Sequence, residues 1–296
     1  MKLTLRRDED IRMTGKRHPY SSDFKIGLSK DGQILAYQVT FYQNAGAAAD
    51  LSPAVLERSL FHTTNSYFVP NVKATALCCR TNLPPYTAFR GFGAPQAMFV
   101  FESAIFKAAE QMGIDPWSIQ KQNLLREGDS FPYGMKLENS QARRCWAIIE
   151  VTVDCLRGTY QIDTVKVVHD VGKSLNPLID RGQVEGGLVQ GIGWMTIEEL
   201  KYADNGQLLT DTLSTYKVPD IYFAPQTISV HFLENSDNPP GLFDSKAIGE
   251  PPFMYGIGAY FAIWQAMKAF RPDLPLKLSA PLTPEKLLLS FYTEAN

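Results

Sequence analysis

Cysteine and histidine are scarce in this chain of 296 residues, with four of each. Cys78 and Cys79 are adjacent, Cys145 and Cys155 stand apart, and His18, His62, His169 and His231 follow no ligand spacing. With no C-x-x-C pair, neither a zinc framework nor a protein-ligated iron–sulfur cluster is expected, and packed or surface roles suit all eight residues. An excess of one charge is also lacking. Lys plus Arg is 29 and Asp plus Glu is 31, a net charge of -2, so no electrostatic footprint points to nucleic acid as a partner. No apolar run is long enough to span a bilayer, and no membrane partner is expected. The opening "MKLTLRRDEDIRMTGKRHP" is charged and has no apolar core of a secretion signal, so a cytoplasmic location is the expectation. Sequence repeats and low-complexity linkers are absent as well.

Hydrophobic residues make up 45% of the chain, enough for a sizeable core and too many for global disorder. "DFKIGLSKDGQILAYQVTFYQNAG" reads as a hairpin turning at Lys30-Asp31-Gly32. "QAMFVFESAIFKAAEQMG" reads as a helix, with Met98, Phe101, Ile105, Ala108 and Met112 on one face and Gly113 to end it. Asp115-Pro116 starts a second helix. A second hairpin, "IEVTVDCLRGTYQIDTVKVVHDVG", turns at Arg157-Gly158. A long glycine-rich helix opens at Asn176-Pro177, and an apolar helix follows Pro251-Pro252. The fold expected is α+β, as two mixed α/β units, residues 1–148 and 149–296.

Four stretches are candidates for chemistry. In "TNLPPYTAFRGFGAPQ", Gly91 and Gly93 bare the backbone beside Arg90, before a helix beginning near Gln96. Free N–H groups, the helix dipole and a guanidinium make an anion site, while a plain turn before a helix explains the same residues. Glu250 in "SKAIGEPPF" is held between a glycine and two prolines. It suits proton abstraction, or simply favours a helix N-terminus. Gln183 and Gln190 lie two turns apart on one helix face among small residues, placed to bond a ligand or to be exposed. Arg58 in "LERSLFH" lies on an apolar-faced helical run, a solvated charge unless the helix faces a pocket.

Taken in order, "RRDEDIRMTGKRHPY", "ERSLFH", "CRTNLPPYTAFRGFGAPQ", "VVHDVGKSLNPLIDRGQVEGGLVQGIGW" and "SKAIGEPPF" resemble the molybdenum hydroxylases. The resemblance is to the molybdopterin-binding subunit of the xanthine dehydrogenase and aldehyde oxidase family, and it covers nearly the whole chain. It implies that residues 1–148 and 149–296 correspond to parts of the first and second molybdopterin-binding domains. It implies a molybdenum–molybdopterin cofactor contacted by Ala88, Phe89, Arg90 and Gln183, with the Arg90 backbone beside the metal. Phe92 would stack on the substrate ring, Glu250 would be the catalytic base, and Arg58 would bind and stabilise a xanthine- or hypoxanthine-type purine. Iron–sulfur and FAD groups would reside on partner domains or subunits. Against the family pattern the chain starts after a glycine-rich loop, and near Trp146 to Val151 it passes over a long central section. Helices carrying Ile105, Phe261 and Trp264 are then expected to leave apolar surface exposed, with homo-oligomers as one consequence. The alternative function is a non-catalytic remnant that keeps only subunit-interaction surfaces.

Overall fold

A computed structural model describes residues 2–292. The chain forms two compact units, Met1–Arg143 and Arg144–Asn296. The expected boundary at 148/149 lies inside strand β4 (Trp146–Asp154), which begins earlier than the alternation after Ile149 suggests.

In the first unit, helix α1 (Arg7–Met13) precedes strands β1 (Tyr20–Leu28) and β2 (Ile34–Gly46). These pair antiparallel from Tyr20↔Gln43 to Leu28↔Ile34. Helix α2 (Ser52–Phe61) then leads to β3 (Val72–Arg80), which pairs parallel with β2. A period of two along β2 buries Tyr37, Val39, Phe41 and Gln43 on one face. Helix α3 (Ala94–Met112) packs on β1 and ends at Gly113 in the left-handed conformation. Helix α4 (Pro116–Asn123) follows, with Pro116 in its first turn.

The second unit repeats this order. Strand β4 and strand β5 (Thr159–His169) form an antiparallel hairpin, helix α5 (Pro177–Thr196) follows, and strand β6 (Thr227–Phe232) pairs parallel with β5. Both three-stranded sheets have the strands in sequence order. The topology is therefore repeated although no repeat is readable in the sequence. The apolar segment after Pro251-Pro252 is two elements, a 3₁₀ helix (Pro251–Gly256) and helix α6 (Ile257–Phe270), and helix α7 (Pro284–Tyr292) closes the described chain.

The expectation for Ile105, Phe261 and Trp264 is corrected. They are buried, at 0%, 4% and 8% exposure, because α3 packs on β1 and α6 packs on β4 and α5. The apolar surface that does remain lies elsewhere, for example at Leu175, Leu178 and Ile179 around the start of α5.

Candidate functional site

The first unit brings Arg58 and the Phe92 loop onto adjoining backbone. Arg58 is half-buried in the last turn of α2. Beside it, Ser59 Oγ donates to Val55 O at 3.1 Å and to Gly93 O at 3.0 Å, so α2 grips the loop. Gly91, Phe92 and Gly93 all have positive φ, 90°, 48° and 91°. A left-handed phenylalanine is uncommon, and such conformations persist where the surroundings over-determine them. Here Phe92 N donates to Phe89 O at 2.8 Å and Ala94 N to Gly91 O at 3.1 Å. A Cβ at Gly93 would lie 2.2 Å from Val55 O. Its bareness therefore admits the backbone of α2, which is a packing role. Ala88 and Phe89 are exposed and Arg90 is half-buried. The Phe89 ring lies under the Arg17 guanidinium, 4.6 Å from the centroid.

The anion-site expectation loses ground at this helix start. α3 begins at Ala94 rather than near Gln96. Ala94 N is already bonded, and Pro95 has no N–H. Gln96 contributes differently. It is buried, its Nε2 donates to His18 O at 3.2 Å, and its Oε1 has no hydrogen-bond partner.

The second unit brings the glycine-rich helix and the Glu250 segment together. Asn176 caps α5, its Oδ1 accepting from Ile179 N at 3.3 Å. A Cβ at Gly191 would lie 2.1 Å from Phe253 O, and one at Gly256 would lie 2.1 Å from the carbonyl carbon of Gly191. That crossing packs α5 on the 3₁₀ helix whose N-cap is Glu250. Glu250 is half-buried, and its carbonyl accepts from Phe253 N at 3.1 Å. Gln183 is exposed and Gln190 half-buried. At Gly182, Gly186 and Gly249 an added Cβ would meet nothing within 4 Å, so the backbone around Gln183 and Glu250 is open.

Sequence reasoning missed a charged cluster beneath this segment. Asp170, just after β5, pairs with Lys246 and accepts from Ser236 Oγ and from Gly172 N. Burial works to raise its pKa, but the bonds from Lys246, Ser236 and Gly172 outweigh it and hold the carboxyl below its ordinary range. Beside it, burial first and the Asp170 charge second push the Cys145 thiol up to about 11. His169 Nδ1 lies 2.6 Å from Tyr255 Oη, and burial lowers the His169 pKa. The available signal was an acid in "HDVGKS" and a base in "SKAIGE", two motifs already singled out.

Two family models, each described as a molybdopterin cofactor-binding domain, match residues 1–124 and 72–225. The second spans more than half of the chain, and the chain belongs to this family of molybdopterin cofactor-binding domains. Xanthine dehydrogenase/oxidase of Felis catus is 26% identical over an aligned span of 483 residues, covering 97% of this chain and 36% of that protein. Aldehyde oxidase 1 of Bos taurus is 25% identical, covering 98% and 36%. The chain thus spans about a third of the length of these relatives. The aligned span is longer than all 296 residues of this chain, so the relatives carry an internal section that it lacks. Among solved structures, quinoline 2-oxidoreductase from Pseudomonas putida 86 matches with a TM-score of 0.84 at 14% identity, covering 98% of this chain and 64% of that one. Aldehyde oxidoreductase from Desulfovibrio gigas matches at 0.85 and 18%, covering 98% and 51%. These likenesses establish the fold, that of the molybdenum hydroxylases.

Proposed function

We propose that this chain supplies molybdopterin-binding and catalytic residues to a xanthine dehydrogenase-like hydroxylase acting on a purine of the xanthine or hypoxanthine type. The observation that carries this reading is Glu250, a half-buried carboxylate heading a 3₁₀ helix beside open backbone at Gly249. We assign Met1–Arg143 to the first molybdopterin-binding domain and the remainder to the second.

The donor chemistry fits an anionic pterin. Gln183 offers an amide next to the bare backbone of Gly182 and Gly186. Ala88, Phe89 and Arg90 offer main-chain groups beside a guanidinium, which suits phosphate and other anions. These residues would hold the cofactor. When bound, the molybdenum centre supplies the two-electron redox chemistry of the hydroxylation. Glu250 would act as the general base, taking up the proton released in the hydroxylation. Arg58 binds the purine and stabilises the negative charge that develops on it. Phe92 holds the ring by stacking. Iron–sulfur and FAD groups are assigned to partner domains or subunits.

A cytoplasmic location in purine catabolism fits this reading. Cys78, Cys79, Cys145 and Cys155 are all free thiols. No helix among the described residues is long and apolar enough to cross a membrane.

The internal section present in the relatives favours a second reading, a remnant that keeps interaction surfaces and holds no cofactor. Metal analysis of the purified, folded chain separates the two. About one molybdenum per chain is expected for the catalytic reading. A folded chain without the metal supports the remnant.

A further inference from the structure

Resting on the assignment of Glu250 as the base, we infer that the Asp170–Lys246 pair is a clamp that positions the Glu250 segment, making Lys246 a positioning residue. Lys246 precedes Glu250 by four residues, and Ala247, Ile248 and Gly249 between them make no regular element. A segment of this kind needs an outside anchor to aim a carboxylate. The anchor is the loop after β5.

Two backbone bonds lay the segment along that loop, Lys246 N to Val171 O at 2.9 Å and Lys173 N to Asp244 O at 3.0 Å. Lys173 Nζ adds a surface pair to Asp244 Oδ2 at 2.6 Å. Beneath them the Lys246 ammonium meets Asp170 Oδ2, while Asp170 Oδ1 takes the Gly172 N–H and the Ser236 hydroxyl. The Asp170 side chain is only 12% exposed. Its carboxylate is thus held at three points, and Lys246 transmits that fixity to its own segment. Asn238 Nδ2 donates to Ser245 O at 2.8 Å and bonds the same segment from a further loop. Beyond Gly249, Phe253 N closes on Glu250 O, so the base stands between the clamp and the 3₁₀ helix.

Hydrogen exchange on the full chain tests the clamp without any cofactor. Lys246→Met should speed exchange of the Lys173, Lys246 and Phe253 amides by roughly tenfold or more. The amides of α5 and of the β4–β5 hairpin should keep their protection. Asp170→Asn, which retains hydrogen-bonding capacity but not the charge, should give the same local pattern. Lys246→Arg should restore protection. Unchanged exchange in residues 244–253, or acceleration spread through the whole unit in both variants, would overturn the clamp. In the complete enzyme, assembled with its partners, Lys246→Met should lower kcat with KM nearly constant, and Lys246→Arg should recover it. Local loosening with full turnover would overturn Lys246 as a positioning residue, whereas an active Glu250→Gln enzyme would instead overturn the role of Glu250 as base.

Discussion

A single carboxylate carries most of the chemistry assigned to this chain. Glu250→Gln keeps the side chain's shape and much of its hydrogen bonding but cannot take the proton. Turnover of the complete enzyme should fall by roughly 10²–10⁴-fold, with molybdenum content unchanged. An active Glu250→Gln enzyme would show that another group is the base. If Arg58 stabilises charge on a purine as proposed, Arg58→Leu removes a contribution that a simple aldehyde does not need. Its kcat/KM should drop for xanthine while an aldehyde is spared. Equal losses on both substrates would make Arg58 structural. These side chains could be singled out in the sequence because each sits inside a compact motif, and their roles stand as proposed. Asp170 and Lys246 were not, since 76 residues separate them and only the fold brings them together. Gly93 was legible as a bare position, but its purpose was not. The closeness of Val55 O belongs to α2, and nothing near Gly93 in sequence announces it.

Elements whose apolar period is local were readable, and those completed from afar were not. Both hairpins, α3 and α5 follow from alternation, turns and caps within one stretch. Strands β3 and β6 escape because each is fixed by parallel pairing with a strand distant in sequence. Helix α1 is short and charged, held partly by Glu9 Oε2 accepting from Arg6 N at 2.8 Å. Long-range completion also gives α3 a pH dependence. Glu102 is buried on α3 and accepts from Asn65 Nδ2 at 2.8 Å, Tyr67 Oη at 2.8 Å and Gln120 Nε2 at 2.7 Å. Burial raises its pKa, and the three bonds offset part of that rise. The folded chain therefore keeps this proton to higher pH than the unfolded chain. The resulting stabilisation is complete below the ordinary glutamate value of 4.5 and is lost as pH rises through the folded pKa. Glu102→Gln stays neutral throughout. Denaturant unfolding of both chains should show the variant gaining stability relative to the parent between pH 4 and pH 7. A stability difference independent of pH would mean that Glu102 does not titrate over that range.

At the scale of the whole molecule, the chain resembles a family whose members carry an internal section that it lacks. Apolar side chains that would otherwise be covered should then stand in water. The helices named from sequence for this role, through Ile105, Phe261 and Trp264, instead bury those residues. One exposed set, among several, is at the start of α5, where Leu175, Leu178 and Ile179 are 62%, 81% and 59% exposed and lie near the open backbone of Gly182. Covering a large aliphatic side chain fully is worth about 1.5–3 kcal/mol. Three such neighbours form a patch of the kind that drives association. The purified chain should therefore self-associate at micromolar concentration, as read by sedimentation velocity. Replacing Leu178 with Glu and Ile179 with Gln should shift it toward monomer without lowering its melting temperature, because neither side chain is buried in the fold. A second polypeptide carrying the relatives' internal section should compete with self-association if it covers this patch. A monodisperse monomer of the unaltered chain across that concentration range would show that this apolar surface is too small to drive assembly.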